Sequence, residues 1–239
     1  DFDFNASGDI FTYDSDCERD YFLPWYTPTR LYHVGIGQHH GWRLNGYLRS
    51  WARRDYYWDT VEMLAPVGRG SPTGVACYRH RQFPGRYWGG LFALDWTFGK
   101  VWFAPLSPRG STYDAQPELF LEPLGTQGFA PTDVAVAPDG SLCIAIGGRK
   151  TRGAIYHVEA VGAPAVTKPP ANPLLQVLDA PQPLDAWSRA IWLPLARQLG
   201  RDAFARVVND ASYSGEQRVR AIEILTELFR GLPPATARD

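Results

Sequence analysis

The chain has 239 residues and a formal net charge of −1 at pH 7, from 24 basic and 25 acidic side chains. This balance gives no electrostatic footprint for nucleic acid or for an anionic membrane surface, so we exclude both as partners. No run of about 18 apolar residues occurs, and the sequence therefore predicts no transmembrane segment. The 23 glycines, 20 prolines and 9 tryptophans favour a β protein rich in turns and in large aromatic side chains.

The first 16 residues, DFDFNASGDIFTYDSD, have the pattern of a β-hairpin. Apolar residues alternate with others, a glycine-containing turn follows, and a second apolar run begins. The same pattern returns from residue 133 as DVAVAPDGSLCIAIGG, which aligns without a gap, Gly8 with Gly140 and Ile10 with Leu142. The sequence therefore predicts that the chain begins inside a repeated β unit.

A second repeat joins SPTGVACY at 71–78 to APTDVAVA at 130–137, and TPTRLYHV from Thr27 is a fainter third copy. Units of roughly 40–60 residues that hold several short strands are typical of β-propeller blades. We count about three blades in residues 1–160. Because a closed propeller has about 4–8 blades, we expect further blades to precede residue 1.

Three further strands are predicted in chain order: GLFALDW at 90–96, GKVWFAPL at 99–106 and GAIYHVEA at 153–160. Residues 161–183 begin with VGAPAVTKPPANP and are predicted to be a Pro/Ala-rich linker. Residues 184–239 then change to a helical period. The predicted fold class is mainly β, a partial β-propeller at 1–160 followed by a small all-α, HEAT-like segment.

The helical segment carries specific boundary signals. Ser214 and Gln217 have the spacing of a capping box, and Gly200 and Gly231 are suited to end helices. Pro194 is expected to kink or end the first helix, because it supplies no backbone N–H. The apolar faces are predicted to be Leu184, Trp187, Ile191 and Leu195; Phe204, Val207 and Val208; and Val219, Ile222, Leu225 and Leu228.

The cysteines are Cys17, Cys77 and Cys143. They form neither a CxxC nor a CxxCH motif, so we predict no haem site in this chain and no disulfide framework. Cys77 and Cys143 lie in apolar strand-like runs and are interpreted as buried thiols.

Three segments carry a family resemblance: residues 1–16 leading to PWYTPTRLYHVGIGQHHGWR, then SPTGVACYRHRQFPGRYWGGLFALDWTFGKVW, then PTDVAVAPDGSLCIAIGGRKTRGAIYHV. They resemble the later blades of the glucose/sorbosone dehydrogenase propeller. They are more similar still to the propeller of bacterial putative membrane-bound dehydrogenases, in which helical repeats and a haem-binding, cytochrome c-like domain follow. The resemblance implies a periplasmic or cell-envelope protein.

The resemblance also implies pyrroloquinoline quinone (PQQ) bound on Ca²⁺, and oxidation of a sugar or alcohol hydroxyl with a histidine as general base. Asp14 and Asp16 are the metal candidates, because Asp14-Ser15-Asp16 falls where backbone carbonyls approach the Ca²⁺ in that family, and Ca²⁺ prefers oxygen ligands. The alternative interpretation of DSDCERD is a solvated acidic loop.

The cofactor-binding candidates under the same resemblance are Thr73, Asp95, Trp96, Arg149 and Arg152. The lysine and arginines that the family presents to the quinone correspond here to Thr97, Ala130 and Thr132. Without those cations a tricarboxylate loses charge-assisted hydrogen bonds. Arg149, Lys150 and Arg152 would substitute if their loop folds inward.

No histidine of this chain aligns with the catalytic base of the family, so the catalytic residues are not assigned. The His39-His40 pair is interpreted as a solvated turn rather than a site. Tyr56, Tyr57 and Trp58, in the polar stretch RRDYYWD, are the best candidates for a carbohydrate groove. The other aromatic residues favour packing between blades.

Three functions remain open at this point. The chain is interpreted first as a fragment of a quinoprotein-like sugar or alcohol dehydrogenase, inactive by itself. The alternatives are a non-catalytic propeller that binds carbohydrate or a protein partner, and a structural module that joins a propeller to a helical array. The resemblance favours the first interpretation for the complete protein, and the missing cations favour the non-catalytic binding propeller.

Overall fold

The computed structural model describes residues 1–16, 26–41, 58–126, 128–148, 150–162, 170–180, 189–232 and 234. The chain divides into two compact units, Asp1–Ala163 and Pro164–Asp239. We refer to them as the β unit and the helical unit. Each has its own hydrophobic core.

The strands of the β unit are β1 Phe2–Phe4, β2 Ile10–Asp14, β3 Thr29–Val34, β4 Ala65–Gly68, β5 Pro72–Cys77, β6 Leu91–Asp95, β7 Lys100–Ala104, β8 Leu106–Arg109, β9 Thr112–Ala115, β10 Glu118–Leu121, β11 Pro131–Val136, β12 Leu142–Gly148 and β13 Thr151–Val158. Three antiparallel sheets have the orders β1-β2-β3-β4, β5-β6-β7-β10 and β11-β12-β13. The β8–β9 hairpin lies between β7 and β10 in the chain. The fold is mainly β, as predicted, and three successive small sheets are consistent with a partial propeller.

The hairpin repeat is confirmed. Phe4 pairs with Ile10 across the first turn, and Val136 pairs with Leu142 across the second. Gly140 has a φ of 87°, and a Cβ there would lie 1.9 Å from His80 Nδ1. A glycine is therefore required at this turn by both its backbone angle and its surroundings.

The second repeat is confirmed for two of its three copies. β5 and β11 are the first strands of their sheets, and a Cβ on Gly74 would lie 3.0 Å from the Cα of Asp133. The third copy, TPTRLYHV, is instead β3, the third strand of its sheet. There the buried Thr29 hydroxyl donates to the carbonyl of Gly68 at 2.8 Å, so its Pro-Thr pair supports pairing with β4.

The core of the β unit is built on both faces of β6. Phe92 and Leu94 pack in a cluster with Leu142 and Ile144 of the third sheet. Leu91 and Ala93 pack in a second cluster, whose other members include Phe11, Leu31 and Cys77. Because side chains alternate across a strand, one continuous apolar run fills two interfaces between sheets. Burial raises the pKa of the Cys77 thiol to about 12, as expected for a buried free cysteine.

The helical unit contains α1 Pro173–Leu178, α2 Arg189–Leu199, α3 Arg201–Asn209 and α4 Gly215–Phe229. Val177 and Leu178 of α1 are buried in the core of this unit, together with Trp192 and Phe204. Residues 173–178 therefore belong to the helical unit, although composition predicts a linker across 161–183. None of the helices in the described residues is long and apolar enough to cross a membrane.

The predicted helix boundaries hold at three positions. Ser214 and Gln217 form the reciprocal hydrogen bonds of a capping box. Gly200 directly follows α2, and Gly231, with a φ of 97°, follows the left-handed C-cap of α4. Pro194 lies inside α2, so the helix does not end there.

The predicted buried face of α4 is wrong in part. Ala221, Ile224 and Leu225 are buried, whereas Val219 is 55% exposed and Ile222 is 36% exposed. A repeat of exactly three residues drifts around a helix that has 3.6 residues per turn. The predicted apolar face therefore turns away from the core at the N-terminal end of α4, where Val219 and Ile222 lie. For α3 the predicted residues Phe204, Val207 and Val208 are all buried.

Candidate functional site

The predicted cofactor and metal residues lie at one set of strand ends. Asp14 ends β2 and Asp95 ends β6, each the second strand of its sheet. The second strand of the third sheet, β12, ends at Gly148. The ends of β6 and β12 are adjacent, because the indole N–H of Trp96 donates to the carbonyl of Gly147 at 2.8 Å.

Asp95 is a buried brace between two loops. Its side chain is 1% exposed, and its Oδ1 accepts the backbone N–H groups of Ser71 at 2.8 Å and Thr97 at 3.0 Å. Burial raises the pKa of this carboxyl, and the two backbone donors act in the opposite direction. A Cβ on Gly70 would lie 2.7 Å from the carboxyl group, so the loop before β5 fits closely over it.

Thr73 and Trp96 are also engaged within the fold. The Thr73 hydroxyl lies 2.9 Å from the carbonyl oxygen of Pro131 and 3.3 Å from that of Leu94, and it donates to these carbonyls. Both polar groups of Trp96 donate to carbonyls, the indole to Gly147 and the backbone N–H to Ser71 at 2.9 Å. The structure thus brings Thr73, Asp95 and Trp96 together, with polar atoms that connect loops and sheets.

The two metal candidates lie at the end of β2, where their carboxylates meet donors from the protein. Asp14 Oδ1 accepts the N–H of Ser15 at 2.8 Å, and its Oδ2 accepts from Arg30 at 3.0 Å. Asp16 is buried, and its Oδ2 accepts the Tyr26 hydroxyl at 2.6 Å. Within the described ranges, no group of three or more histidine, cysteine, aspartate or glutamate side chains is placed to hold a metal ion.

The remaining candidates either are exposed or lie outside the described residues. Arg152 is an exposed residue of β13. Arg149, Tyr56 and Tyr57 lie outside the described residues. Trp58 is 98% exposed, so its ring is open to a ligand and takes no part in core packing.

Arg30 is a functional candidate that inspection of the sequence missed. It lies directly opposite Asp14 in the pairing of β2 with β3, and its side chain is 4% exposed. A single arginine in the apolar run TRLYHV was an available signal, because arginine is rarely buried without an acidic partner. Pairing it with Asp14 required the strand register.

A second polar cluster lies near the opposite ends of β2 and β3. It contains Asn5, Asp9, His33, Thr112 and Tyr113. The Tyr113 hydroxyl donates to Asp9, which lowers the pKa of Asp9 and raises that of Tyr113. His33 stacks on Phe11 with ring centroids 5.3 Å apart, and its Nε2 lies 3.6 Å from Asp9 Oδ1. This cluster ties the β8–β9 hairpin to the first sheet.

Burial disfavours the charged form of two histidines and lowers the pKa of each. Desolvation lowers the pKa of His80, against the attraction of Asp139, and the Nδ1 of its ring accepts the N–H of Gln82 at 3.0 Å. Desolvation also lowers the pKa of His40, whose ring centroid lies 4.5 Å from that of Tyr32. The His40 ring thus packs against Tyr32 of the first sheet. The turn that contains His39 and His40 is therefore only partly solvated, whereas the sequence predicts a solvated turn.

We expect the free energy of unfolding to fall on acidification because of these two histidines. Their folded pKa lies below the unfolded value of about 6.5, so the unfolded chain binds protons that the folded chain does not. Stability should be constant above about pH 7 and should decrease as the pH falls below about 6.5. Urea unfolding between pH 5 and 8 measures this. His80→Asn, which retains an acceptor for Gln82 but no titrating ring, should have a shallower slope, and profiles that superimpose would contradict the assignment.

Comparison with known proteins gives a fold. No protein-family model matches the sequence, and no curated protein matches it. A solved glucose dehydrogenase is similar with a TM-score of 0.50 and 21% identity, over 66% of this chain and 43% of that chain. A putative oxidoreductase (glucose dehydrogenase) of Thermus thermophilus has a TM-score of 0.49 and 15% identity, over 66% of this chain and 44% of that one. The soluble aldose sugar dehydrogenase of Escherichia coli, in the apo form, has a TM-score of 0.48 and 18% identity, with coverages of 66% and 43%.

The glucose dehydrogenase with the TM-score of 0.50 is 21% identical to this chain, so the similarity shows the fold alone. This chain spans less than half the length of that protein. The chain thus has a fold similar to part of a solved glucose dehydrogenase.

Proposed function

We propose that the chain is part of a dehydrogenase-like propeller whose substrate, in the complete protein, is a sugar or a small alcohol. The observation that carries the proposal is the fold similarity to a glucose dehydrogenase, with a TM-score of 0.50 over 66% of this chain. The order of the three sheets, each opening with an equivalent first strand, supports it.

The described residues do not fit the quinone that the resemblance implies. A tricarboxylate is held by cations, and the positions expected to supply them are Thr97, Ala130 and Thr132. Thr132 donates to the carbonyl of Ala145 at 3.2 Å, and the hydroxyl of Thr73 is engaged with backbone carbonyls. We therefore propose that this chain supplies the framework, and that the catalytic base and the cofactor ligands belong to other parts of the complete protein.

A second candidate function is a binding propeller without catalysis. Trp58 supports it, because a ring that is 98% exposed offers an apolar face on which a sugar can stack. The internal engagement of Thr73, Asp95 and Trp96 supports it as well. Its ligand would be a carbohydrate or a protein partner. If it binds neither, the chain would serve as a structural module that joins the propeller to a helical array.

The architecture of the complete protein is part of the same proposal. The helical unit would begin a HEAT-like array, followed by a cytochrome c-like domain, in the periplasm or cell envelope. The exposed pair Val219 and Ile222 on α4 supports a further helix there, because stacked helical repeats bury such faces against a neighbour.

A calorimetric titration of PQQ with Ca²⁺ tests the proposal. We expect micromolar or tighter binding by the full-length protein and no binding by the 239-residue chain, with sugar-dependent reduction of a dye by the loaded full-length protein. Absence of binding by the full-length protein would contradict the dehydrogenase proposal. A titration of oligosaccharides into wild type and Trp58→Ala would then test the binding propeller, and equal affinities would exclude Trp58 from its site.

A further inference from the structure

The described residues at the end of β2 and the start of β3 meet at a buried cation that belongs to the protein, Arg30. Arg30 donates through Nη2 to Asp14 Oδ2 at 3.0 Å and through Nη1 to the carbonyl oxygens of Ser15 at 2.8 Å and Pro28 at 2.9 Å. Its Nε donates to the Tyr32 hydroxyl at 2.8 Å. The guanidinium therefore joins the first residues of the loop to the last.

The oxygens around Arg30 are of the kinds that bind a hard divalent cation. A carboxylate and two backbone carbonyls, at the two ends of an acidic loop, are ligands that Ca²⁺ prefers. Here each of these oxygens accepts a hydrogen bond from the guanidinium. A divalent ion would have to displace a side chain that is 4% exposed, or lie against its positive charge.

We propose that Arg30 is the resident cation of this loop and that the β2–β3 junction binds no calcium. The planar guanidinium, with five N–H groups in fixed directions, can satisfy several oxygens at once, whereas an ammonium group acts as a point charge. The guanidinium thus holds Ser15 and Pro28 together with hydrogen bonds of the protein's own.

Thermal unfolding with calcium, with magnesium and with a chelator tests this inference on the 239-residue chain. We expect the Tm of the wild type to be the same in all three conditions. Arg30→Met, which preserves the length of the side chain but removes its donors, should lower the Tm by roughly 10 °C, because it leaves a carboxylate without its buried partner. Arg30→Lys should lie between the two.

The double variant Asp14→Asn/Arg30→Met is the matched control. The double variant removes both charges, whereas Arg30→Met leaves the Asp14 carboxylate without Arg30. The Tm of the double variant should therefore lie above that of Arg30→Met, even though it carries one more substitution. Arg152→Met, at an exposed position of β13, serves as the comparison for loss of an arginine outside this junction.

A wild-type Tm that rises with calcium, falls with chelator and loses this response in Asp14→Asn would overturn the inference. So would an unchanged Tm in Arg30→Met. If Arg30→Met fails to fold, the calcium titration of the wild type decides by itself. These readouts are independent of dehydrogenase activity, so the proposed function and this inference can fail separately.

Discussion

Phe92→Ala is expected to lower the free energy of unfolding of the β unit by about 3–5 kcal/mol. Phe92 is 0% exposed and lies in β6, the strand whose two faces fill both cores. Its ring centroid lies 5.9 Å from Tyr78, 6.1 Å from Phe83, 6.1 Å from Tyr87, 5.1 Å from Phe103 and 4.8 Å from Phe120. These rings come from three segments, residues 78–87, β7 and β10, so no single neighbour can move to fill the cavity.

Urea unfolding, followed by hydrogen exchange of individual amides, measures this effect and assigns it to a unit. Phe98→Ala is the matched control, because Phe98 is 46% exposed and surface changes cost within about 0.5 kcal/mol. Amides of α2–α4 should keep their protection, since the helical unit has a separate core. Equal losses from Phe92→Ala and Phe98→Ala would contradict the packing described here.

Asp95→Ala is expected to destabilise the β unit by about 2–3 kcal/mol. The substitution leaves the N–H groups of Ser71 and Thr97 without their acceptor and opens a cavity beneath Gly70. Asp95→Asn retains an oxygen at the same place. Because burial disfavours the carboxylate charge and raises the pKa of Asp95, the neutral amide should cost well under half as much as alanine.

Urea unfolding at pH 7 of the two variants distinguishes a structural brace from a charged ligand. A brace requires an acceptor, so Asp95→Asn should remain close to the wild type. If both variants lost the same stability, the charge rather than the acceptor would be responsible. The result therefore decides whether Asp95, a cofactor candidate from the sequence, is framework in this chain.

Local features of this protein could be predicted from the sequence. The hairpins at Gly8 and Gly140, the strands β6, β7 and β13, and the capping box at Ser214 all depend on residues close together in the chain. Alternation, turn residues and caps express short-range sterics and hydrogen bonding, which the order of residues determines by itself. Because the hairpin pattern repeats along the chain, the sequence also predicts the mainly β fold.

The tertiary structure decided how those elements meet. Identical Pro-Thr pairs begin a first strand at Thr73 but a third strand at Thr29, since a repeat in sequence does not specify its neighbour. The buried side of α4 depends on which helices cover it. The interpretation of the candidate site differs most between sequence and structure. The sequence makes Asp14 a metal candidate, and only the register of β2 against β3 places Arg30 beside it. A buried charge such as that of Arg30 requires a partner, and here the partner lies on another strand.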